Sequence, residues 1–322
     1  MAAYLLRRIA GALLLVFLLV TVVFVLMHAV PGEPTALLKN QNPEQRERLI
    51  QLWGLDRPLY EQYGRWLRSA LLRLDWGTSF TFHRPVLRVL ADAFPATLAL
   101  STAAILIHLA LALGGALWSV RRAGQGADRL VQASALVLNS LPVFWLGLVA
   151  ILTFSGWLPW LPAGHMRSPD AASVRGWPAV ADFLRHLVLP ATVLGLSGFG
   201  GTVRLLRASL LEALSQDYIR TARAKGASEA RVLLVHALRN SLTPLVQVLG
   251  YTLPGLLNGS LLIETLFSWP GVGQALFIGI QSFDYPLVLG GTVLSGVLVV
   301  AGTLGADLAQ LALNPRLRPA LA

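Results

Sequence analysis

The residues of this 322-residue chain that could do chemistry are few and form no recognisable catalytic set. The phosphate-cradling pattern G-x-x-x-x-G-K-[ST] is absent, and Lys225-Gly226 is the only lysine–glycine pair. No His, Asp and Glu side chains have metal-ligand spacing, and neither H-E-x-x-H nor G-x-S-x-G occurs. The absence of cysteine excludes thiolate chemistry and disulfides. We therefore expect no cofactor, no metal site and no ATP hydrolysis by this chain alone.

Two ionisable residues lie inside apolar stretches, and we favour a structural role for each. His108 is expected to bond the backbone or a hydroxyl group of a neighbouring helix, and Asp307 is expected to pair with an arginine such as Arg316. A proton relay would need a buried charged partner, and the apolar stretches supply no such acid.

The elements that must position these residues follow from composition. Hydrophobic residues make up 55% of the chain and charged residues 13%, against about 25% charged in soluble proteins. So few charges cannot cover a soluble domain, and the sequence predicts an all-α polytopic membrane protein. A helix needs about 20 apolar residues to cross a bilayer. Six spans are predicted, at Ile9–Met27, Phe94–Val120, within Leu130–Phe154, and at Leu187–Val203, Asn240–Ile263 and Tyr285–Ala306. The first is too long for a signal-peptide core and is interpreted as a retained anchor.

The distribution of charge predicts that both termini lie in the cytoplasm. The formal charge is +10, and the predicted cytoplasmic pieces 1–8, 121–129, 204–239 and 314–322 together hold 14 basic and 4 acidic residues. Such an excess on one side is the positive-inside pattern of a membrane protein. It indicates orientation rather than nucleic-acid binding.

The most informative segment is the predicted cytoplasmic hairpin at about 204–241. Apolar residues recur there at a spacing of four, at Leu206, Leu210, Leu214, Tyr218 and Ala222. Gly226 then interrupts the pattern, and Ser228 is a candidate N-cap for a second helix that runs through Arg239. A transport pathway does not need so long a basic hairpin, so the segment indicates a docking site for a partner.

The predicted outer segments lie at 31–93, 156–186 and 264–285. Residues 31–93 are expected to form a small helical cap between the first span, in 1–30, and a five-helix core at 94–322. Within the cap, a helix starting at Asp56-Arg57-Pro58 carries an apolar stripe, which we expect to pack on the membrane or on the bundle rather than to contact a ligand. The stripe consists of Leu59, Tyr63, Leu67, Leu71 and Leu74. The run Ser268–Gly273 predicts a sharp turn in a segment that could re-enter the membrane, and Glu264 is expected to be a solvated charge at a helix end.

The run Asp217–Gly226, followed by His236–Asn240, resembles the cytoplasmic coupling motif of ABC-importer permeases, in the variant found in the peptide/nickel group. Arg220-Thr221-Ala222 stands for E-A-A of the general motif, and Gly226 fits its turn. The resemblance covers essentially the whole chain, with further matching segments at Tyr4–Arg8, Pro31–Pro34, Leu55–Tyr63, Asp75–Ser79, Pro95–Leu98, Glu264–Gly273, Asp284–Pro286 and Asn314–Arg316. Thr303 and Asn258 depart from the pattern of the group.

The resemblance implies a permease subunit of the bacterial inner membrane that forms half of a pathway for di- or oligopeptides or for nickel chelates. It implies a homologous second permease, separate ATPase subunits and a solute-binding protein as protein partners. The lipid bilayer is a further implied partner. The implied ATPase-coupling residues are Arg220, Thr221, Ala222, Arg223, Lys225, Gly226, His236 and Arg239. The candidates for an outer loop or gate are Glu264, Trp269, Pro270, Gly271 and Asp284.

Two alternatives make different demands on the sequence. A stand-alone secondary transporter or channel would predict inverted repeats and midplane charges or broken helices in matching halves. The two halves of this chain are unlike each other instead. A membrane-embedded enzyme would need a nucleophile–base pair, which the sequence lacks.

Overall fold

The described part of the chain is helical. The structure, a computed structural model, describes residues 2–29, 44, 47–48, 50–51, 54–170, 175–242 and 261–313. Within these residues one isolated bridge joins Thr78 and Pro85, and no β-strand occurs. The helices with defined bounds are α1 (Ala2–Ala29), α2 (Leu59–Arg73), α3 (Val86–Arg121), α4 (Gly126–Ser140), α5 (Val143–Ile151), α6 (Trp177–Leu196), α7 (Phe199–Ser215), α8 (Asp217–Ala224), α9 (Glu229–Arg231), α10 (Val272–Gln281) and α11 (Tyr285–Leu313). Residues 261–266 are also helical. A π-helical turn, Leu152–Trp157, extends α5, and a second one, Val232–Ala237, extends α9.

Four of these helices are long and apolar enough to cross a membrane, and a bent pair makes a fifth candidate. The candidates Ala10–Ala29, Val86–Arg121 and Tyr285–Gly305 coincide with the first, second and sixth predicted spans. The mostly helical, multi-span prediction is confirmed at this level. The fifth predicted span, Asn240–Ile263, lies mainly outside the described residues, as do Asn258 and Arg316.

The third predicted span is not one continuous helix. The structure divides it into α4 and α5, with a bend of 102° between Gly126–Ser140 and Val143–Trp157. Leu141 is extended, with φ −90° and ψ 133°, and Pro142 follows it. A proline disfavours helical backbone in the residue before it, which explains the break. The bend makes this segment either a broken span or a re-entrant one.

The fourth span lies earlier in the chain than predicted. We expected it at Leu187–Val203, whereas the candidate span is Trp177–Leu196. Pro178 lies in the first turn of α6, where its missing N–H is tolerated, so the helix starts within the predicted outer loop 156–186. Gly198 has φ +73° and separates α6 from α7.

The chain divides into two compact units, and each has its own buried core. The first comprises Leu98–Trp269 and Val299–Ala322, and the second comprises Ala2–Thr97 and Pro270–Leu298. The first unit contains a continuous core that includes Ala116, Val131, Leu206, Leu210 and Ile219. The second has one core cluster around Leu90 and Leu287 and another around Phe24 and Leu289.

Candidate functional site

The predicted hairpin is present, but its apolar stripe changes register part-way. Leu206 and Leu210 on α7 are fully buried, as predicted. The helix then breaks at Gln216, which is extended with φ −77° and ψ 152°, before α8 begins. This break rotates the following side chains, so that Ile219 is fully buried while Tyr218 is 40% exposed. Placing Tyr218 in the stripe was therefore wrong, because the stripe assumed one uninterrupted helix.

Gly226 ends α8 in a left-handed turn. Its φ is +83°, which side-chain-bearing residues rarely adopt. The Gly226 N–H donates to the Arg223 carbonyl at 2.9 Å, and the Ala227 N–H donates to the Ala222 carbonyl at 3.1 Å. These two bonds define a Schellman motif, which satisfies carbonyl groups at the end of a helix. A Cβ atom at Gly226 would meet nothing within 4 Å, so the demand for glycine is conformational rather than steric.

The second helix of the hairpin starts at the predicted cap and is linked back to the first. The Ser228 side chain accepts a bond from the Arg231 N–H at 3.4 Å. Across the Gly226 turn, the Arg223 guanidinium donates to both Glu229 carboxylate oxygens, at 2.8 and 3.1 Å. These bonds lower the pKa of the Glu229 carboxyl and raise the pKa of the Arg223 guanidinium. The ion pair therefore joins α8 to α9 directly.

The predicted coupling residues differ in their exposure to solvent and in their contacts. Arg220 is 79% exposed and meets the equally open Asp217 at 3.3 Å, a pairing of little strength in water. Lys225 and Arg239 are exposed, whereas His236 is partly buried. The Thr221 hydroxyl donates to the carbonyl of Asp217 at 3.1 Å. Ala222 packs against the core of the first unit.

The hairpin shares one apolar core with the helices that precede it. Ile219 from α8 and Val232, Leu233 and Ala237 from the π-helical turn are buried in the same cluster as Val120 of α3, Val131 of α4 and Leu206 of α7. Close-packed cores transmit displacement rather than absorb it. The hairpin is therefore packed into the same core as α3, α4 and α7.

Sequence reasoning missed an ion pair at the base of the hairpin. Arg207 of α7 binds Asp128 of α4 with both ends of its guanidinium, Nε to Oδ1 at 2.8 Å and Nη2 to Oδ2 at 2.7 Å. The Gly124 N–H also donates to Asp128, at 2.8 Å, and the Ser119 hydroxyl completes the set of donors. One signal was available: Asp128 is the only acidic residue between positions 93 and 169.

His108 has the structural role that the sequence predicts. Its ring is fully buried, with Nδ1 2.8 Å from the Gly195 carbonyl oxygen and Nε2 3.0 Å from the Thr202 hydroxyl. A carbonyl oxygen only accepts, so Nδ1 carries a proton and donates it. His108 thus links α3 to α6 and α7.

Two of the predicted outer-loop or gate residues, Glu264 and Trp269, lie in the first unit, and both are buried. Glu264 is fully buried, so the expectation of a solvated helix-end charge was wrong. The helix 261–266 ends in a further Schellman motif, in which the Trp269 N–H reaches the Glu264 carbonyl at 2.7 Å and Ser268 adopts φ +49°. This turn returns the chain so that the Trp269 ring is buried, 5.9 Å from the ring of Phe183. The turn predicted at Ser268–Gly273 therefore lies at its first residue, Ser268, whereas Val272 and Gly273 already belong to α10.

The second unit contains the other three predicted outer-loop or gate residues, which are Pro270, Gly271 and Asp284. Gly271 precedes α10 in an extended conformation, after Pro270. Asp284 is fully buried and is the N-cap of α11, because its Oδ1 accepts the Leu287 N–H at 3.2 Å. Its Oδ2 accepts the Thr81 N–H at 2.9 Å and the Ser79 hydroxyl. One carboxylate therefore fixes the start of α11 and the loop around residues 79–81.

The described residues combine apolar helices with an exposed basic hairpin. No group of three or more His, Cys, Asp or Glu side chains that could hold a metal occurs in the described residues. Comparison with known families then decides the class. Residues 108–319 match the family model described as "Binding-protein-dependent transport system inner membrane component", and residues 1–101 match the model for its N-terminal part. The chain belongs to this family.

Curated relatives of this permease cover nearly its whole length. The oligopeptide transport system permease protein AppB of Bacillus subtilis is 35% identical over 320 residues, which is 98% of this chain and 99% of AppB. The di/tripeptide permease protein DppB of Pseudomonas aeruginosa is 36% identical over 335 residues, and the dipeptide permease protein DppB of Escherichia coli 34% over 339 residues, with 99% of each chain covered in both cases. These matches confirm an ABC-importer permease of the peptide group.

A solved structure supports the fold of the permease. The MetNI methionine ABC transporter, in inward-facing conformations, aligns with a TM-score of 0.54 and 21% identity over 71% of this chain and 97% of that chain. At this identity the likeness concerns the fold alone. The relatives are transport proteins rather than enzymes, and the family identifies a multi-pass membrane protein.

Proposed function

We propose that this permease forms half of a peptide translocation pathway in the bacterial inner membrane and is driven by a separate ATPase that grips the hairpin of α8 and α9. The observation that carries the proposal is the construction of the hairpin. A Schellman turn at Gly226, a cap at Ser228 and the Arg223–Glu229 pair fix its shape, and its apolar side merges with the core of the first unit. A segment that is rigid, basic and exposed is suited to receive force from a partner.

The exposed cations are the proposed contacts with the ATPase. Arg220 and Lys225 present guanidinium and ammonium groups to solvent on either side of Thr221–Ala224, and Arg239 does so further along. Arg223 already binds Glu229, so we assign it to shaping the turn. Acidic side chains on the partner would complement the exposed cations, because opposite charges steer and orient association.

The Asp128–Arg207 pair is the proposed connection from the hairpin to the membrane helices. α7 leads into α8 with only Gln216 between them, and Arg207 anchors α7 to α4. Asp128 is almost wholly buried and its partner largely so, hence screening by salt is weak. Movement of α8 would then carry α4 with it rather than slide past it.

On the predicted outer side, the buried candidates are proposed to shape the loops that a solute-binding protein and the second permease would meet. Glu264 and Trp269 are buried at the two ends of one turn, and Asp284 is the buried N-cap of α11. The named substrates of the relatives favour di- and oligopeptides as cargo, and nickel chelates stay a prediction of the sequence. Membership of the family sets aside a stand-alone secondary carrier and a membrane-embedded enzyme.

Reconstitution tests the proposal. The full importer, with both permeases, ATPase and binding protein in liposomes, should accumulate labelled dipeptide only when ATP is present with the ATPase. Uptake by this chain in liposomes without ATPase would overturn the proposal.

Charge reversal tests the docking contacts. Arg220→Glu with Lys225→Glu should reduce co-purification of the ATPase, while Arg122→Glu, an exposed cation of another predicted inner loop, should not. Equal retention of the ATPase by both variants would contradict docking through the hairpin.

A further inference from the structure

The helix α2 carries an apolar arc whose outermost side chains are exposed in the described part of the chain. At about 100° per residue, Tyr60, Leu67 and Leu71 lie together on this arc. Tyr60 is 80% and Leu71 71% exposed, whereas the adjoining arc with Tyr63 and Trp66 packs against the core of the second unit. An apolar arc of this kind marks a contact with another molecule or with lipid.

The contact between α2 and α1 determines where this arc lies along the apolar stretch of α1. The Tyr63 hydroxyl lies 2.6 Å from the Thr21 hydroxyl, and the ring of Tyr63 lies 4.9 Å from that of Phe24. Thr21 is eight residues before Ala29, the end of the candidate span Ala10–Ala29. At 1.5 Å per residue, this bond lies about 12 Å inside the end of the span. The helix α2 therefore contacts the apolar stretch of α1 that forms the candidate span.

A groove runs between the two helices. Its volume is 410 Å³, and its lining is mostly apolar, including Phe24, Val25, Leu59 and Tyr60. Val25 also belongs to the exposed apolar surface of α1, little of which is buried within the described residues. The groove is thus continuous with the exposed apolar surface of a candidate span, which makes a lipid acyl chain the occupant that its surroundings supply.

The phosphate group of such a lipid would need a positively charged partner near α2. Arg57 and Arg65 each bind Glu61 at 2.8 Å. Arg68 is exposed beside the apolar arc, and among the described residues it forms no ion pair. A guanidinium group forms charge-assisted hydrogen bonds with phosphate oxygens. We propose that α2 lies in the lipid interface, with a phospholipid whose acyl chain fills the groove and whose phosphate contacts Arg68.

The arc can be tested by spin labelling, since a chain without cysteine accepts a single label at a chosen site. The full chain with Leu71→Cys is labelled in vesicles of phosphatidylethanolamine and phosphatidylglycerol, and collisions with oxygen and with a water-soluble nickel complex are measured. Arg65→Cys on the charged arc of the same helix is the matched control. We expect the label at position 71 to favour oxygen and the label at 65 to favour nickel. Equal preference for nickel at both positions would overturn the placement of α2.

A protein partner is the competing occupant. If the label at position 71 favours nickel until a solute-binding protein is added and then becomes immobile, the arc is a protein-docking surface and the proposal fails. Unchanged collision rates on adding that protein, with a preference for oxygen throughout, support lipid contact.

The phosphate contact has its own measurement. Native mass spectrometry of the full chain titrated with phosphatidylglycerol counts retained lipids, and Arg68→Gln should lower the retention of one lipid by at least about fivefold. Arg88→Gln, an exposed arginine of α3, is the control and should leave retention unchanged. Equal retention by both variants would remove Arg68 from the site.

Discussion

Replacement of Gly226 by valine tests the coupling hairpin most directly. The glycine has φ +83°, and a Cβ atom would meet nothing within 4 Å, so the substitution introduces backbone strain without a clash. Left-handed backbone costs about 1–2 kcal/mol for a residue with a side chain, and more when the side chain is β-branched. A change of one or two kcal/mol alters an equilibrium by roughly 5- to 30-fold.

The assay is peptide uptake per ATP hydrolysed by the full importer in liposomes. We expect Gly226→Val to lower uptake by about 5- to 30-fold, because fewer hairpins hold the shape that the ATPase engages, while the permease still inserts. Gly226→Asn should retain most uptake, since asparagine tolerates left-handed backbone. Gly176 also has a positive φ, +74°, in open space. Gly176→Val therefore introduces strain away from the hairpin and should leave coupling intact.

Two outcomes would refute this reasoning. Unchanged uptake with Gly226→Val would show that the shape of the turn is not needed for coupling. Equal losses with Gly226→Val and Gly176→Val would show that the effect is general destabilisation and not a property of the hairpin.

Three further predictions concern the ion pairs and the buried cap. Asp128→Ala should lower the unfolding free energy by about 3–5 kcal/mol because it leaves the Arg207 guanidinium without its partner. Adding Arg207→Met should recover part of this loss in thermal unfolding, and no recovery would argue against a direct pair. Asp284→Ala should cost at least about 0.5–2 kcal/mol as a lost cap. Asp284→Asn should cost less because its single amide oxygen still accepts the capping Leu287 N–H, although its NH2 group cannot accept the Thr81 N–H. Equal melting temperatures for the two variants would contradict the cap. Arg223 lowers the pKa of Glu229. The stabilisation of the hairpin by the Arg223–Glu229 pair is therefore complete above the unfolded pKa near 4.5 and is lost only as pH falls through the lower folded pKa. ATPase co-purification should therefore stay constant from about pH 8 to 5.5, and a loss of binding within that range that Glu229→Gln abolishes would refute this assignment.

Local features of the hairpin could be predicted because the residues that cause them are neighbours in sequence. Gly226 needs a left-handed conformation to end α8, and Ser228 caps the next helix within three residues. Both effects act within one helical turn. The orientation that the distribution of charge predicts, with both termini in the cytoplasm, stays a prediction. The family itself could also be recognised, since its motifs are short runs.

Features that depend on distant residues were missed or placed wrongly. Asp128 and Arg207 are 79 positions apart, and Asp284 binds Ser79 across 205 positions. No periodicity in the sequence pairs such residues. Glu264 was expected in solvent because a charge at a helix end usually lies there, whereas its side chain is fully buried.

The sequence by itself determined that the chain spans a membrane as apolar helices, carries a basic hairpin with a fixed glycine turn and belongs to the peptide permeases. Hydrophobic length, charge and local backbone rules suffice for the first two conclusions, and the third came from the resemblance of its motifs to a known family. The tertiary structure alone decided that Ile219 rather than Tyr218 is buried, that Asp128 holds Arg207 and that α2 lies against α1 through Tyr63 and Thr21. Each of these depends on how helices pack, and packing follows from the three-dimensional fit of side chains remote in sequence.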